Sequence, residues 1–147
     1  MFKNDNSKAT GKLTVEIKND KGVVVETREV KNLVVDDGLG FIASRMKDAT
    51  ATAMSHMAIG TGSTAAAASD SALGSEAARN ALTSTTVTSN AVAYVASFAA
   101  GEGTGAITEA GILNAGSSGT LLCRTVFSVV NKGASDSMTI TWTVTIS

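Results

Sequence analysis

At the end of the chain five apolar residues, Met138, Ile140, Trp142, Val144 and Ile146, alternate with Thr139, Thr141, Thr143 and Thr145. Successive side chains of a strand point to opposite faces, so a period of two makes one face apolar and the other Thr. The branched Cβ of threonine suits extended backbone. A segment of this kind has to bury its apolar face against a second layer. The same period recurs near the start, where Leu13, Val15 and Ile17 alternate with Thr14, Glu16 and Lys18. Asn19-Asp20-Lys21-Gly22 then supplies a turn and Val23 to Val30 returns as the second strand of a hairpin.

Further strands are expected at Met57 to Ile59, Thr83 to Thr88, Val92 to Phe98, residues 106–113 and Leu121 to Val130. Ser89-Asn90 reads as a two-residue hairpin turn and Asn131-Lys132-Gly133 as the turn before the last strand. Helical spacing is clearest at Leu39, Ile42, Ala43 and Met46, behind Asp36 and Asp37 at a capping position and with Arg45 and Lys47 near the far end. Ala49 to Ala53 reads as a loop, and Ala65 to Ala81 has room for one more weak turn of helix.

Seven or more short strands at this spacing predict a mainly β, antiparallel β-sandwich, jelly-roll-like, with one short helix near residues 37–47. Residues 1–11 are polar and without period, and read as a flexible arm; residues 12–147 form the single domain, with Trp142, Ile140, Val144 and Phe127 in its core. A chain of 147 residues buries about two thirds of its unfolded surface and folds without a staple. It contains no proline, which removes one guard of exposed strand edges, so neighbouring subunits are expected to cover them.

Composition narrows the function. One cysteine excludes an intrachain disulfide and a multi-thiolate metal site. Twelve basic against thirteen acidic residues give no field to attract a phosphate backbone, so a nucleic-acid partner is not expected. There is no run of 18 apolar residues and no signal-peptide stretch in MFKNDNSKATGK, so neither a membrane span nor secretion by that route is expected. The charge is uneven: residues 1–48 hold 9 of the 12 Lys/Arg and 8 of the 13 Asp/Glu, leaving 3 and 5 for the rest.

Candidate chemistry is sparse. His56 is the sole histidine and no serine sits in a G-x-S-x-G elbow, so His56 reads as structural and no catalytic residue, cofactor or metal ligand is assigned. GTGST at 60–64 lacks the lysine of a phosphate loop and GEGTG at 101–105 opens no amphipathic helix, so both read as turns needing positive φ. Cys123 lies in an apolar strand, as a small hydrophobe. Glu109 and Arg124 are isolated charges among nearly uncharged strands and are expected to pair, within the fold or across a subunit boundary. Glu76 and Arg79 stand at helical i,i+3 spacing and are expected to pair likewise.

The order of HMAIGTGST (His56 to Thr64), SDSALGSEAAR (Ser69 to Arg79), FAAGEGTGAITEAGILNA (Phe98 to Ala115), TLLCRTVFSVVNKG (Thr120 to Gly133) and MTITWTVTIS (Met138 to Ser147) resembles a group of small tailed-bacteriophage virion proteins. The opening GKLTVEIKNDKGVVVETREVKNLVV and FIASRM is similar to their N-terminal part, so the resemblance covers about residues 12–147. Proteins of that group carry labels such as tail-fibre or decoration protein. They tend to have proline after the GTGST segment, where this chain has Ala65 to Ala68.

The resemblance implies a non-enzymatic virion protein, assembled in the host cytoplasm. A fibre would continue into a repetitive shaft, whereas this chain ends at Ser147 on its clearest strand, so a knob with a short arm is expected. The favoured reading is a capsid decoration (cement) protein, a homo-oligomer such as a trimer that bridges capsomers of the major capsid protein. The alternative is a tail or tail-fibre adaptor that contacts tail proteins. A carbohydrate-binding module is a third reading, with only Tyr94 and Trp142 as large polar aromatics and Trp142 expected in the core.

Overall fold

The structure, a computed structural model, describes residues 8–47 and 51–147. In chain order its elements are β1 (Ala9–Lys18), β2 (Val24–Val34), α1 (Asp36–Arg45), β3 (His56–Gly60), β4 (Glu76–Ala81), β5 (Ser84–Thr88), β6 (Ala91–Phe98), β7 (Gly105–Leu113), β8 (Leu121–Lys132) and β9 (Ser137–Ile146). The strands form one curled antiparallel sheet in the order β4-β3-β7-β8-β2-β1-β9-β6-β5. It folds over on itself into two layers, β5-β6-β9-β1-β2 and β2-β8-β7-β3-β4. Strand β2 belongs to both. Up to Asn32 it pairs with β1, and beyond that only Leu33 and Val34 pair, with Arg124 and Cys123 of β8. On the opposite side the chain passes from β4 into β5 through Leu82 and Thr83, whose N–H groups donate to Ser55 and Val95 carbonyls.

Between the layers lies one apolar core. Leu13, Val15 and Ile17 of β1, Met138, Ile140, Trp142 and Val144 of β9, and Tyr94, Ala96 and Phe98 of β6 face Met57, Ile59, Ile107, Ile112 and Cys123 from the other layer. The Thr residues of β9 point the other way, as the alternation predicts. Phe127 is corrected in part: it packs against the core but is half-buried, not enclosed within it. Its strand arches there. Ile107 pairs with Val130 and Glu109 with Val126, so Phe127, Ser128 and Val129 face Thr108 alone. Such a bulge bends a strand away from its layer. Arg28 holds the arch by donating to the Ser128 carbonyl at 2.9 Å.

Other boundaries also move. Residues expected in the arm join the sheet: β1 begins at Ala9 opposite Ile146, and Lys8 and Ser147 exchange backbone hydrogen bonds of 2.7 and 2.9 Å. Residues 1–7 lie outside the described residues, as do 48–50, of which 49 and 50 belong to the expected 49–53 loop. Val35, not an aspartate, is the N-cap of α1, and Asp36 and Asp37 occupy its first turn, where their charge meets the positive end of the helix dipole. The docked face of α1 is Gly38, Phe41 and Ile42, one position removed from the expected Leu39, Ile42, Ala43 and Met46. Leu39 is 46% exposed and Met46 85%. Gly38 decides this, because a Cβ there would collide with the Leu122 carbonyl on which the helix backbone rests. No helix forms within 65–81, where a loop over residues 61–75 leads into β4. The last turn shifts to Gly133–Asp136, since Lys132 is still in β8 and buried.

Candidate functional site

The second layer turns its outer face toward the loop of residues 61–75, and there the chain buries its charges. Glu109 on β7 and Arg124 on β8 project from this face and are 0% and 2% exposed. The pair expected from sequence stands with Arg124 Nη2 2.9 Å and Nε 3.0 Å from Glu109 Oε2. Three backbone N–H groups complete the carboxylate: Gly62 at 2.9 Å and Ser75 at 2.6 Å to Oε1, and Gly74 at 2.8 Å to Oε2. Arg124 continues outward, donating from Nη1 to Asp70 at 2.8 Å and from Nη2 to the Thr64 carbonyl at 3.0 Å. Asp70 in turn accepts from the Ala67 N–H at 2.9 Å. Beneath the loop, Leu73 packs on a second small cluster of Val35, Ala58, Leu113 and Leu121.

Each ionisation state follows from these contacts. Burial pushes the Glu109 pKa up, and the Ser75 and Gly74 N–H groups, Arg124 and Gly62 outweigh it, so its carboxyl sits below the ordinary carboxylate value. The Ala67 N–H, and after it Arg124, hold Asp70 down. Burial works against the charge of Arg124, but its two carboxylate partners raise its pKa further. The site is therefore one cation between two anions, closed by backbone dipoles.

GTGST forms one side of the cradle around Glu109, giving it the Gly62 N–H, while Gly74 and Ser75 close the other side. Gly60 and Gly62 do not have positive φ; a Cβ on Gly62 would overlap the Glu109 carboxylate, and close approach is what glycine supplies. The positive φ expected of GEGTG is found, at 84°, 61° and 138° for Gly101, Gly103 and Gly105.

The remaining assignments separate. Glu76 and Arg79 pair at 2.6 Å, but on strand β4 rather than a helix. Ile59 pairs with Ala78 and Gly60 with Glu76, so Ala77 is extra and the bulge brings Glu76 round to the face of Arg79. Arg79 also donates to the Ala115 and Ser118 carbonyls. His56 lies on β3 with Nδ1 2.8 Å from the Ser55 hydroxyl oxygen. Cys123 is fully buried, which pushes its thiol pKa well up. Tyr94 and Trp142 are 8% and 0% exposed, so neither offers a ring face to a sugar. Among the described residues no three His, Cys, Asp or Glu gather as a metal site requires, and no helix is long and apolar enough to cross a membrane.

The parts that Asp70 and Lys132 play are missed from sequence, where Asp70 is only a conceivable partner for His56 and Lys132 only a turn residue. Lys132 is 1% exposed and its Nζ donates to the Ala99 and Asp136 carbonyls at 2.8 Å; burial lowers its pKa. The usable signal was the isolation that marked Glu109 and Arg124. All eight charged residues of 51–147, namely Asp70, Glu76, Arg79, Glu102, Glu109, Arg124, Lys132 and Asp136, make hydrogen bonds within the chain.

Among the described residues, recesses lie on the Thr face and beside α1. A shallow groove of about 730 Å³ crosses the Thr face between Lys12, Glu29, Lys31, Thr141 and Thr143. A smaller one of about 190 Å³ lies beside α1, lined by Phe41, Ile42, Val92, Tyr94, Val144 and Ile146. Set against models of protein families, curated proteins and solved structures, the chain matches nothing.

Proposed function

We propose that the protein is a non-enzymatic structural component of a tailed-bacteriophage virion, a decoration protein that binds the outside of the head and bridges neighbouring capsomers. One observation carries the reading. From residue 51 onward each of the eight charged residues is engaged by a hydrogen bond within the chain and three of them, Glu109, Arg124 and Lys132, are buried, so the strand surface offered outward there is mostly Thr, Ser and Ala, with Glu76 and Glu102 its exposed charges. Interface centres are depleted of charge, so a surface of this kind suits broad packing against copies and neighbours. The locked 61–75 loop adds to this by giving the outer face of one layer a fixed shape.

Such a protein works mechanically. Interface area added across capsomer boundaries resists internal pressure, with no bond made or broken. The test is its stoichiometry in purified virions before and after the tails are sheared off. Copies comparable in number to the major capsid protein, retained on tail-free heads, are expected. A few copies lost with the tails would make it an adaptor, and absence from particles would end the virion reading.

A further inference from the structure

The sheet has two terminal strands, and they are finished differently. Strand β4 carries a bulge, the Glu76–Arg79 ion pair, and Asn80 reaching across to the Ser97 carbonyl and Glu102. Strand β5 carries nothing of the kind. It pairs with β6 in unbroken register from Ser84↔Val95 to Thr88↔Ala91, and all five of its residues are exposed. Val87 is 71% exposed although its pair, Val92, packs against the core. No charged residue occurs from Asn80 to Gly101, and the chain has no proline. Charge, proline, bulges and covering segments are the usual guards of a strand edge, and among the described residues β5 has none of them.

We infer that β5 is an assembly seam at which a second copy of this chain pairs, antiparallel, β5 against β5. Charge selects the occupant. A twofold axis sets identical strands against each other, which any charge on the strand would oppose. The nearest charged strand on this layer is β1, three strands in from the edge, so across the seam the two β1 strands lie about 34 Å apart at roughly 4.8 Å per strand, beyond screening range.

The register follows as well. Opposed residues share a face in an antiparallel pair, which limits a twofold seam to registers centred on one residue, and pairing all five residues of β5 selects Thr86 opposite Thr86 of the partner subunit, with Thr85 opposite Val87 of the partner subunit and Ser84 opposite Thr88 of the partner subunit. The exposed Val87 then gains a β-branched neighbour. A five-residue seam is small beside the roughly 1,200–2,000 Å² of a standard interface, so the dimer is concentration-dependent in solution and strengthened by neighbouring contacts on a particle. This inference deepens, and rests on, the assembly reading above; virion stoichiometry tests that reading and the following pattern tests this one, so either can fail alone.

Cysteine substitution reads the seam directly, because the natural Cys123 is buried and gives no background. In the full chain, Thr86→Cys places two sulfurs on residues about 4.5–5.5 Å apart at Cα, within disulfide range. Two copies of Thr88→Cys lie four residues apart along the seam, about 13 Å, and cannot join. Under mild oxidation Thr86→Cys should give mainly covalent dimer and Thr88→Cys only a trace, while a mixture of Ser84→Cys and Thr88→Cys should cross-link. Thr86→Lys, with the natural cysteine only, should abolish concentration-dependent dimer in sedimentation and leave the thermal midpoint unchanged at concentrations where the parent is monomeric. Equal cross-linking of Thr86→Cys and Thr88→Cys, none from either, cross-linking only to a different chain, or dimer unaffected by Thr86→Lys would each overturn the seam.

Discussion

Glu109 shows how a single side chain can fasten a segment of fifteen residues. Burying a carboxylate costs several kcal/mol, and hydrogen bonds from N–H groups to a charged acceptor return about 1.5–3 kcal/mol each. Three backbone donors and Arg124 together outweigh the burial. Glu109→Gln keeps the shape but leaves Arg124 with Asp70 as its only anion, and the expected loss is about 3–5 kcal/mol in denaturant unfolding. The pH dependence has a definite sign. The folded pKa values of Glu109 and Asp70 lie below their unfolded values near 4, so their stabilisation is complete above about pH 5 and is lost as the pH falls below 4. The Glu109→Gln variant should show a shallower acid limb. A limb as steep as in the parent would mean other carboxylates carry it. The pair was legible in the sequence because an isolated charge in an apolar strand needs a partner. Its backbone donors were not, since an N–H group has no letter.

At the scale of elements, the strands were easy to read and the helix face was not. Period two leaves two alternatives for a strand, whereas one position along a helix turns the face by about 100°. Leu39, Ile42, Ala43 and Met46 have the spacing of a buried stripe, yet Gly38, Phe41 and Ile42 are the ones docked. An apolar pattern cannot register that the contact is made by an absent side chain. Gly38→Ala is therefore expected to destabilise by about 1–3 kcal/mol through overpacking, and Leu39→Ala by no more than about 0.5 kcal/mol, both measured by urea unfolding. The reverse order would restore the expected face. Loop 61–75 was misread for a related reason: its Ala-rich composition favours helix, while its conformation is set by Glu109 and Arg124, which lie more than thirty residues away.

Across the whole molecule the two layers share one core, and β2 runs through both. The layers should then unfold together, in a single transition seen alike by tryptophan fluorescence and circular dichroism. Trp142 sits in that core, fully buried, and Trp142→Ala should cost about 3–5 kcal/mol while the transition stays single. Its indole N–H has no hydrogen-bond partner, so Trp142→Phe, which removes that buried donor, should cost less. A loss below about 1 kcal/mol for Trp142→Ala would remove the Trp face from the core. Core membership was legible for Trp142, Ile140 and Val144 from alternation alone. Phe127 escaped because the arch of β8 is set by how many residues of β7 oppose it.

The sequence by itself determined the class of fold, most of the strands, the Thr and apolar faces of β9, and the partnership of two lone charges. These follow from local periodicity and from the cost of an unpaired buried charge. Only the tertiary structure decided which face of α1 docks, how residues 61–75 are held, that β2 joins the two layers, and which of the two terminal strands is left unguarded. Each of those depends on backbone groups or on residues brought together from distant parts of the chain, and neither has a signature in the order of side chains.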